Sequence, residues 1–173
     1  TNPIAMAVPD GRGGVAFQFD FSTSAVALGK ITMAAAAGET IPLGWAVDAQ
    51  GEPPTDPQEA LMGSLVSAGG YKGYGIGLMV EVLASALTGS RLSAEVPPLK
   101  TPEGAPHNLG QFYIVIDPSG FHEDFAEQLS TLAKSIANQD GARLPGTNRK
   151  VPDVVSVEDA VWSTVQSLAS AKT

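Results

Sequence analysis

The chain has 173 residues, of which 43% are hydrophobic and 16% charged, and its formal net charge is −8. This composition suits a soluble globular protein with a real core, and the acidic balance with few, scattered basic residues argues against a nucleic-acid partner. The absence of cysteine excludes disulfides and thiolate metal sites and suits a reducing cytoplasm, while the longest apolar run, around Ile76 to Leu87, contains Glu81 and is too short to span a membrane.

Thr1-Asn2-Pro3-Ile4-Ala5-Met6-Ala7-Val8-Pro9 has no initiator methionine, charged lead-in or helix start, so it reads as the interior of a longer chain. From Gly13 to Asp20, Val15, Phe17 and Phe19 alternate with other residues, which predicts a half-buried strand. The hydroxyls of Ser22, Thr23 and Ser24 can then cap a helix from about Ala25 to Ala37, stopped by Gly38. Polar groups at such a turn either satisfy the helix's own N–H groups or share them with a ligand. From Ile41 to Gly70, four prolines and several glycines predict irregular structure, with a turn at Ala49 to Glu52 and a short helix near Gln58 to Met62. A loop of that length favours a binding surface.

Gly69-Gly70-Tyr71-Lys72-Gly73-Tyr74-Gly75 sets four glycines around one cation and opens into an apolar helix. Backbone N–H groups, a positive dipole end and a lysine outline a phosphate or carboxylate site; the alternative is a glycine loop that only packs tightly. Neither the dinucleotide fingerprint nor the Walker A spacing is present. The helix is expected to run to about Thr88, to stop at Gly89 and to be largely buried, so Glu81 needs a partner, expected to be a structural salt bridge. After a Pro/Gly-rich connection, Gln111 to Asp117 reads as the clearest buried strand, closed by Pro118. A helix is expected over Phe121 to Asn138, with Phe125, Leu129, Leu132 and Ile136 on one face. The loop Arg143 to Lys150 concentrates three basic residues among turn formers. Ser156 to Asp159 resembles a capping box before a helix bearing Val157, Val161, Val165 and Leu168.

Catalytic candidates are few. His107 and His122 stand in unrelated contexts without metal-ligand spacing, so no metal site is expected, and no serine-hydrolase elbow exists. Thr1 fits the pattern of an N-terminal nucleophile activated by its own amine, which leaves a hydrolase or self-processing protein as the alternative function. With so poor an acid–base inventory, a catalytic proton donor is expected outside this chain.

Several spaced motifs resemble one family: Thr1 to Ala5, Asp20 to Ile31, Pro42 to Asp48, Thr55-Asp56-Pro57, Gly69 to Gly75, Ile116-Asp117-Pro118 and Leu144-Pro145-Gly146. In that order they resemble the C-terminal half to two-thirds of malate/L-lactate dehydrogenase-type oxidoreductases, a group that includes ureidoglycolate and sulfolactate dehydrogenases, diketogulonate reductase and the piperideine- and pyrroline-2-carboxylate reductases. The resemblance implies an α+β fold with a mixed, mostly antiparallel sheet and flanking helices, unlike the doubly wound Rossmann type, in a homodimer. It implies NAD or NADP as cofactor and hydride transfer to or from a small 2-oxo acid, 2-hydroxy acid or cyclic imino acid. Residues 1–150 would form most of the NAD(P)-binding domain, and the helix within 151–173 would pack on the missing N-terminal portion.

Carried over by motif, Thr1 and Pro3 would lie beside the cofactor, and Asp20, Ser22 and Thr23 would contact its ribose or nicotinamide side. Tyr71, Lys72 and Gly73 would stand by the phosphates or ribose, and the turn with Gly146, Thr147 and Arg149 would close over it. Hydroxyls and N–H groups at helix starts, with a cation on a glycine loop, suit a pyrophosphate. Two departures leave the choice between NADH and NADPH open: Tyr71 stands where histidine is frequent, and Thr147-Asn148-Arg149 where Glu-Arg usually follows the Pro-Gly turn. The family's catalytic histidine would precede Thr1, so no catalytic residue is expected in this chain.

Overall fold

Ile4, Met6 and Val8 alternate with the small Ala5 and Ala7, the two-residue period of a strand that is apolar on one side. In the computed structural model, which describes residues 1–97, 105–147 and 152–170, they form β1 (Ile4–Pro9), paired antiparallel with β2 (Val15–Phe21). Partners run from Ile4 with Phe21 to Val8 with Phe17, and a bulge between Val8 and Pro9 brings Pro9 opposite Val15. The turn between them is closed by Asp10, whose Oδ1 accepts from the N–H groups of Arg12 at 2.7 Å and Gly14 at 2.8 Å. Gly13 and Gly14 belong to that turn, so β2 starts at Val15 and not at Gly13 as expected.

α1 (Leu28–Ala37) starts three residues later than the hydroxyl-rich turn implies, and Ser22, Thr23 and Ser24 do not cap it. Its N-cap is Ala27, with no side-chain cap. Tertiary partners take the turn instead: Ser24 bridges to Ser67, and the Ala25 N–H donates to the Val66 carbonyl at 2.7 Å. The helix ends at Gly38 in the left-handed region, φ 68°, as expected.

The proline-rich stretch that follows packs on α1 to form the core. α2 (Pro57–Leu61) is capped by Asp56, whose side chain accepts from the Gln58 N–H, and β3 (Ala46–Val47) pairs antiparallel with β4 (Ser64–Leu65). Val26, Ile31, Ile41, Ala46 and Ala60 form the buried cluster, flanked by Trp45, Leu61 and Leu65. Ile31 is 0% exposed, and burying such a side chain contributes about 2–3 kcal/mol.

α3 (Tyr71–Glu81) continues as one π-helical turn over Val82–Ala86 and stops at Gly89, φ 71°. It is not the largely buried helix expected: its buried positions are Gly73 and Gly77, while Ile76, Leu78 and Met79 stand about half exposed. The helix packs through its glycine face, where backbone meets backbone, and its large side chains point away.

Gln111 to Asp117 is not a strand. The segment meets no ladder partner among the described residues, and Val115 is 94% exposed. β-propensity makes a sheet only where a second strand supplies hydrogen bonds. Pro118–Gly120 forms a single 3₁₀ turn capped by Asp117, and α4 (Phe125–Ala137) follows, against β2 with Leu129 buried. α5 (Asp159–Ser170) exposes Val161, Trp162, Val165 and Leu168. The described residues thus combine helices with small antiparallel sheets, an α+β arrangement. No helix among them is long and apolar enough to cross a membrane.

Candidate functional site

Strand alternation puts Ala5, Ala7, Gln18 and Asp20 on one face of the β1–β2 ribbon, with Ala5 opposite Asp20 and Ala7 opposite Gln18. Along this face runs an open cleft of about 800 Å³, closed on its other side by Arg143, Pro145 and Gly146. The alanines keep its floor low. The turn is tied to β2 by the Gln18 N–H, which donates to the Pro145 carbonyl at 3.2 Å. It is stiffened by Thr147, whose Oγ1 donates to the Leu144 carbonyl at 2.8 Å. Gly146 has φ 83°. Asp20, an acceptor, and Arg143, a donor in a planar fork, therefore face the same space.

Of the residues expected at the site, the cleft unites Asp20 with Gly146, and Thr147 lines an adjoining recess of about 80 Å³ beside Gln18. Arg149 lies outside the described residues. Gln18 and Arg143 are cleft residues that sequence reasoning did not assign. Arg143 had a legible signal, as a cation two residues before Pro145 in the basic turn; Gln18 had none.

A second group forms where β2 ends. Thr23, 9% exposed, donates from both N–H and Oγ1 to the Thr1 carbonyl, at 3.1 and 2.9 Å, and its own carbonyl accepts from the Ala68 N–H at 2.9 Å. Ser22 Oγ lies 2.8 Å from Ser24 Oγ. Gly77 of α3 comes so near that a Cβ there would lie 3.2 Å from Thr23 Oγ1, and a Cβ on Gly73 would lie 1.7 Å from the Ala68 carbonyl oxygen. Thr1, Thr23 and Gly73 are thus brought together through Ala68. Gly69 and Gly70, φ 70° and 64°, turn the chain into α3. The N–H groups of Tyr71, Lys72 and Gly73 meet no acceptor among the described residues, as expected at a helix start. Tyr71, 82% exposed, and Lys72 project from this turn and do not line the cleft.

Behind the second group lies a polar network. Asn2 Nδ2 donates to the Gly77 carbonyl at 2.8 Å and to Glu81 Oε2 at 3.0 Å. The Ser93 N–H donates to Glu81 Oε1 at 2.5 Å, and Ser93 Oγ contacts both Glu81 Oε2 and Asn2 Oδ1. Glu81 is therefore satisfied by neutral donors and not by the salt bridge expected. Hydrogen bonds from the Ser93 side chain and backbone outweigh partial burial and, with Asn2, hold its carboxyl below the usual range.

Other candidates stay apart. The Thr1 hydroxyl has no hydrogen-bond partner among the described residues, and only its carbonyl is engaged, by Thr23. His122 Nδ1 accepts from the nearby Asp124 N–H, and no group of three or more His, Asp or Glu among the described residues could hold a metal ion.

The family model for malate/L-lactate dehydrogenase matches residues 1–152. The chain is 44% identical over 149 residues to (2R)-3-sulfolactate dehydrogenase (NADP(+)) of Chromohalobacter salexigens, covering 86% of this chain and 44% of that protein. It is also 44% identical over 168 residues to the Delta(1)-pyrroline-2-carboxylate/Delta(1)-piperideine-2-carboxylate reductase of Pseudomonas aeruginosa, covering 93% and 49%. The crystal structure of delta1-piperideine-2-carboxylate reductase from Pseudomonas syringae aligns with a TM-score of 0.79 at 35% identity, covering 96% of this chain and 52% of that one. The chain spans about half the length of these relatives. On a match that takes in both residue groups and all but the C-terminal helix, the chain belongs to the malate/L-lactate dehydrogenase family.

Proposed function

We propose that this chain supplies most of the nicotinamide-dinucleotide site of an oxidoreductase acting between NAD(P)H and a 2-oxo acid, its 2-hydroxy product or a cyclic imino acid. The observation that carries the reading is the cleft along β1 and β2, where Asp20 and Arg143 share a space of about 800 Å³. That size suits a cofactor. A carboxylate accepts from ribose hydroxyls, and a guanidinium matches phosphate oxygens. Gly73 and Gly146 leave no room for a side chain against Ala68 and Gln18.

In this reading Arg143 and Lys72 attract the phosphates, assisted by the N–H groups of Tyr71, Lys72 and Gly73. Asp20, Ser22 and Thr23 hold the ribose or nicotinamide side next to Thr1 and Pro3. Gly146, Thr147 and Arg149 close the turn over the group. The bound nicotinamide supplies or accepts the hydride; this chain's residues orient it and exclude water. The names of the relatives indicate the substrate class, since sulfolactate and the cyclic imino acids all carry a carboxylate beside the reacting carbon.

The proton donor is assigned to an N-terminal portion, for which the greater length of the relatives leaves room. Residues 1–150 then form most of a non-Rossmann NAD(P)-binding domain with a mixed, mostly antiparallel sheet, which the Gln111 to Asp117 segment, unpaired in this chain, joins only in the full-length protein. The helix within 151–173 packs its exposed Val161, Trp162, Val165 and Leu168 on the N-terminal portion of a homodimeric cytoplasmic enzyme. Nothing around Thr1 favours the hydrolase alternative.

The test is fluorescence titration of the full-length protein with NADH and NADPH, followed by loss of NAD(P)H absorbance with pyruvate, oxaloacetate, sulfopyruvate and the cyclic imino acids. Binding of one nucleotide, weakened about tenfold in Lys72→Ala and Arg143→Ala by loss of a charge-assisted contact, is the expected result. A full-length protein that binds neither nucleotide refutes the proposal.

A further inference from the structure

Asn2 holds a left-handed backbone, φ 44°, a conformation rare for residues other than glycine and most accessible to Asn. It stands between Thr1 and Pro3, at the start of β1. Its side chain reaches 75 residues along the chain to the Gly77 carbonyl and 79 to Glu81. Asn2 is thus held by α3, and α3 is held by Asn2.

Glu81 is the last residue of α3 before the π-helical turn. Among the described residues its hydrogen-bond partners are all donors: Asn2 Nδ2, the Ser93 N–H and Ser93 Oγ. A neutral amide of the same shape could not replace it, because one of its two heads would be a donor facing a donor. Nor can Asn2 turn its amide round to compensate, since its oxygen would then meet the Gly77 carbonyl. The network therefore requires a carboxylate, and it ties together the start of β1, the end of α3 and the chain after the π-helical turn.

A second tie holds the other end of the helix. Thr23 grips the Thr1 carbonyl and accepts from Ala68, immediately before the glycine turn. From Lys72 to Glu81 the helix extends about 14 Å at its usual rise. Held at both ends it cannot swing against the ribbon, whereas held at Ala68 alone it could pivot there and change the direction in which Lys72 leaves the turn.

We infer that Asn2, Glu81 and Ser93 are positioning residues that fix the glycine turn bearing Lys72 and the Thr1–Pro3 segment at one spacing from the β1–β2 cleft, an inference resting on the reading of both as one dinucleotide site. They touch no substrate. Their effect is on nucleotide affinity, through the geometry of the groups that do.

The experiment uses the full-length protein and the variants Glu81→Gln, Asn2→Gly and Ser93→Ala, with NADH or NADPH affinity read by fluorescence. Glycine suits the backbone of position 2, so Asn2→Gly removes the side chain and keeps that conformation accessible. The expected result is nucleotide affinity lowered about tenfold in Glu81→Gln and Asn2→Gly, the loss of hydrogen bonds to a charged group. In the double variant the two effects do not add, because both cut one network. At saturating nucleotide, kcat stays within about twofold of wild type for whichever substrate the wild type turns over.

Unchanged affinity in folded Glu81→Gln and Asn2→Gly overturns the inference. So does a fall in kcat that matches the loss of affinity, or failure of all three variants to fold, since either marks a merely structural network. A wild type that binds neither nucleotide defeats the nucleotide-site reading itself, and is distinguished by being measured first.

Discussion

Gly146 lies against Gln18 so closely that a Cβ on Gly146 would come within 2.8 Å of both the Gln18 carbonyl oxygen and its Cγ. The carbonyl is backbone of β2, which the ladder with β1 holds in place. Gly146 also has φ 83°, a conformation that costs an L residue about 1–2 kcal/mol. Gly146→Ala should therefore lower stability by about 2–4 kcal/mol, strain and overpacking together. It should also lift the turn off the cleft. Urea unfolding checks the first effect and nucleotide titration of the full-length protein the second; a variant as stable as wild type would show that this turn does not dock on β2.

Two glycines of α3 should respond in opposite directions to the same substitution. A Cβ on Gly73 would meet the Ala68 carbonyl oxygen at 1.7 Å, whereas around Gly75 nothing lies within 4 Å. Gly73→Ala must push the helix away from Ala68 and should destabilise by about 2–3 kcal/mol, the range of core overpacking. Gly75→Ala meets no obstacle and should stabilise by about 0.5–1 kcal/mol through helix propensity. Thermal unfolding of the two variants side by side decides it, and equal shifts of one sign would contradict the packing described.

The contrast between these glycines also shows what the sequence makes legible. Local chemistry reads well where it acts alone: Gly38 and Gly89 end their helices, and Val15, Phe17 and Phe19 mark β2. It reads badly where a distant segment competes. Ser22, Thr23 and Ser24 look like caps, but Thr23 turns to the Thr1 carbonyl, Ser24 bridges to Ser67, and the Ser22 and Ser24 hydroxyls pair with each other. Gln111 to Asp117 has a strand's residues without a strand's partner. At the site, Lys72 and Gly146 are marked by glycine and charge. Asn2 and Ser93 carry no local mark, because their role depends on contacts with Glu81 across 79 and 12 residues.

Amide hydrogen exchange on this chain by itself should separate the ribbon from the unpaired segment. β1 and β2 are linked by a ladder from Ile4 with Phe21 to Val8 with Phe17, but the N–H groups of Phe112 to Ile116 meet no acceptor among the described residues. The ribbon amides should exchange slowly and the 112–116 amides near the unprotected rate. In the full-length protein, where we propose that the segment joins a sheet, the same amides should become protected. Fast exchange in both forms would remove that strand from the proposed domain.

Acid should loosen the tie between Asn2 and Glu81 before neutral pH variation touches it. The Glu81 carboxyl titrates below its ordinary value of 4.5, chiefly because Ser93 donates to it from side chain and backbone. A depressed folded value means that the folded protein binds fewer protons there than the unfolded chain. The stabilisation is therefore complete above the unfolded value and is lost as pH falls through the lower, folded one. Asp10, held low by the Arg12 and Gly14 N–H groups, and Asp117, held low by the Ser119 hydroxyl and N–H, act with the same sign. Both are common to wild type and Glu81→Gln, so their contributions cancel in the difference between the two proteins. Urea unfolding in a pH series should show the wild type more stable than Glu81→Gln by a constant margin from neutrality to about pH 5. Below 4.5 the margin should narrow, as the carboxylate gains the proton that disables it as an acceptor. A margin that stayed constant into acid would mean that the charge on Glu81 is not what Asn2 and Ser93 hold.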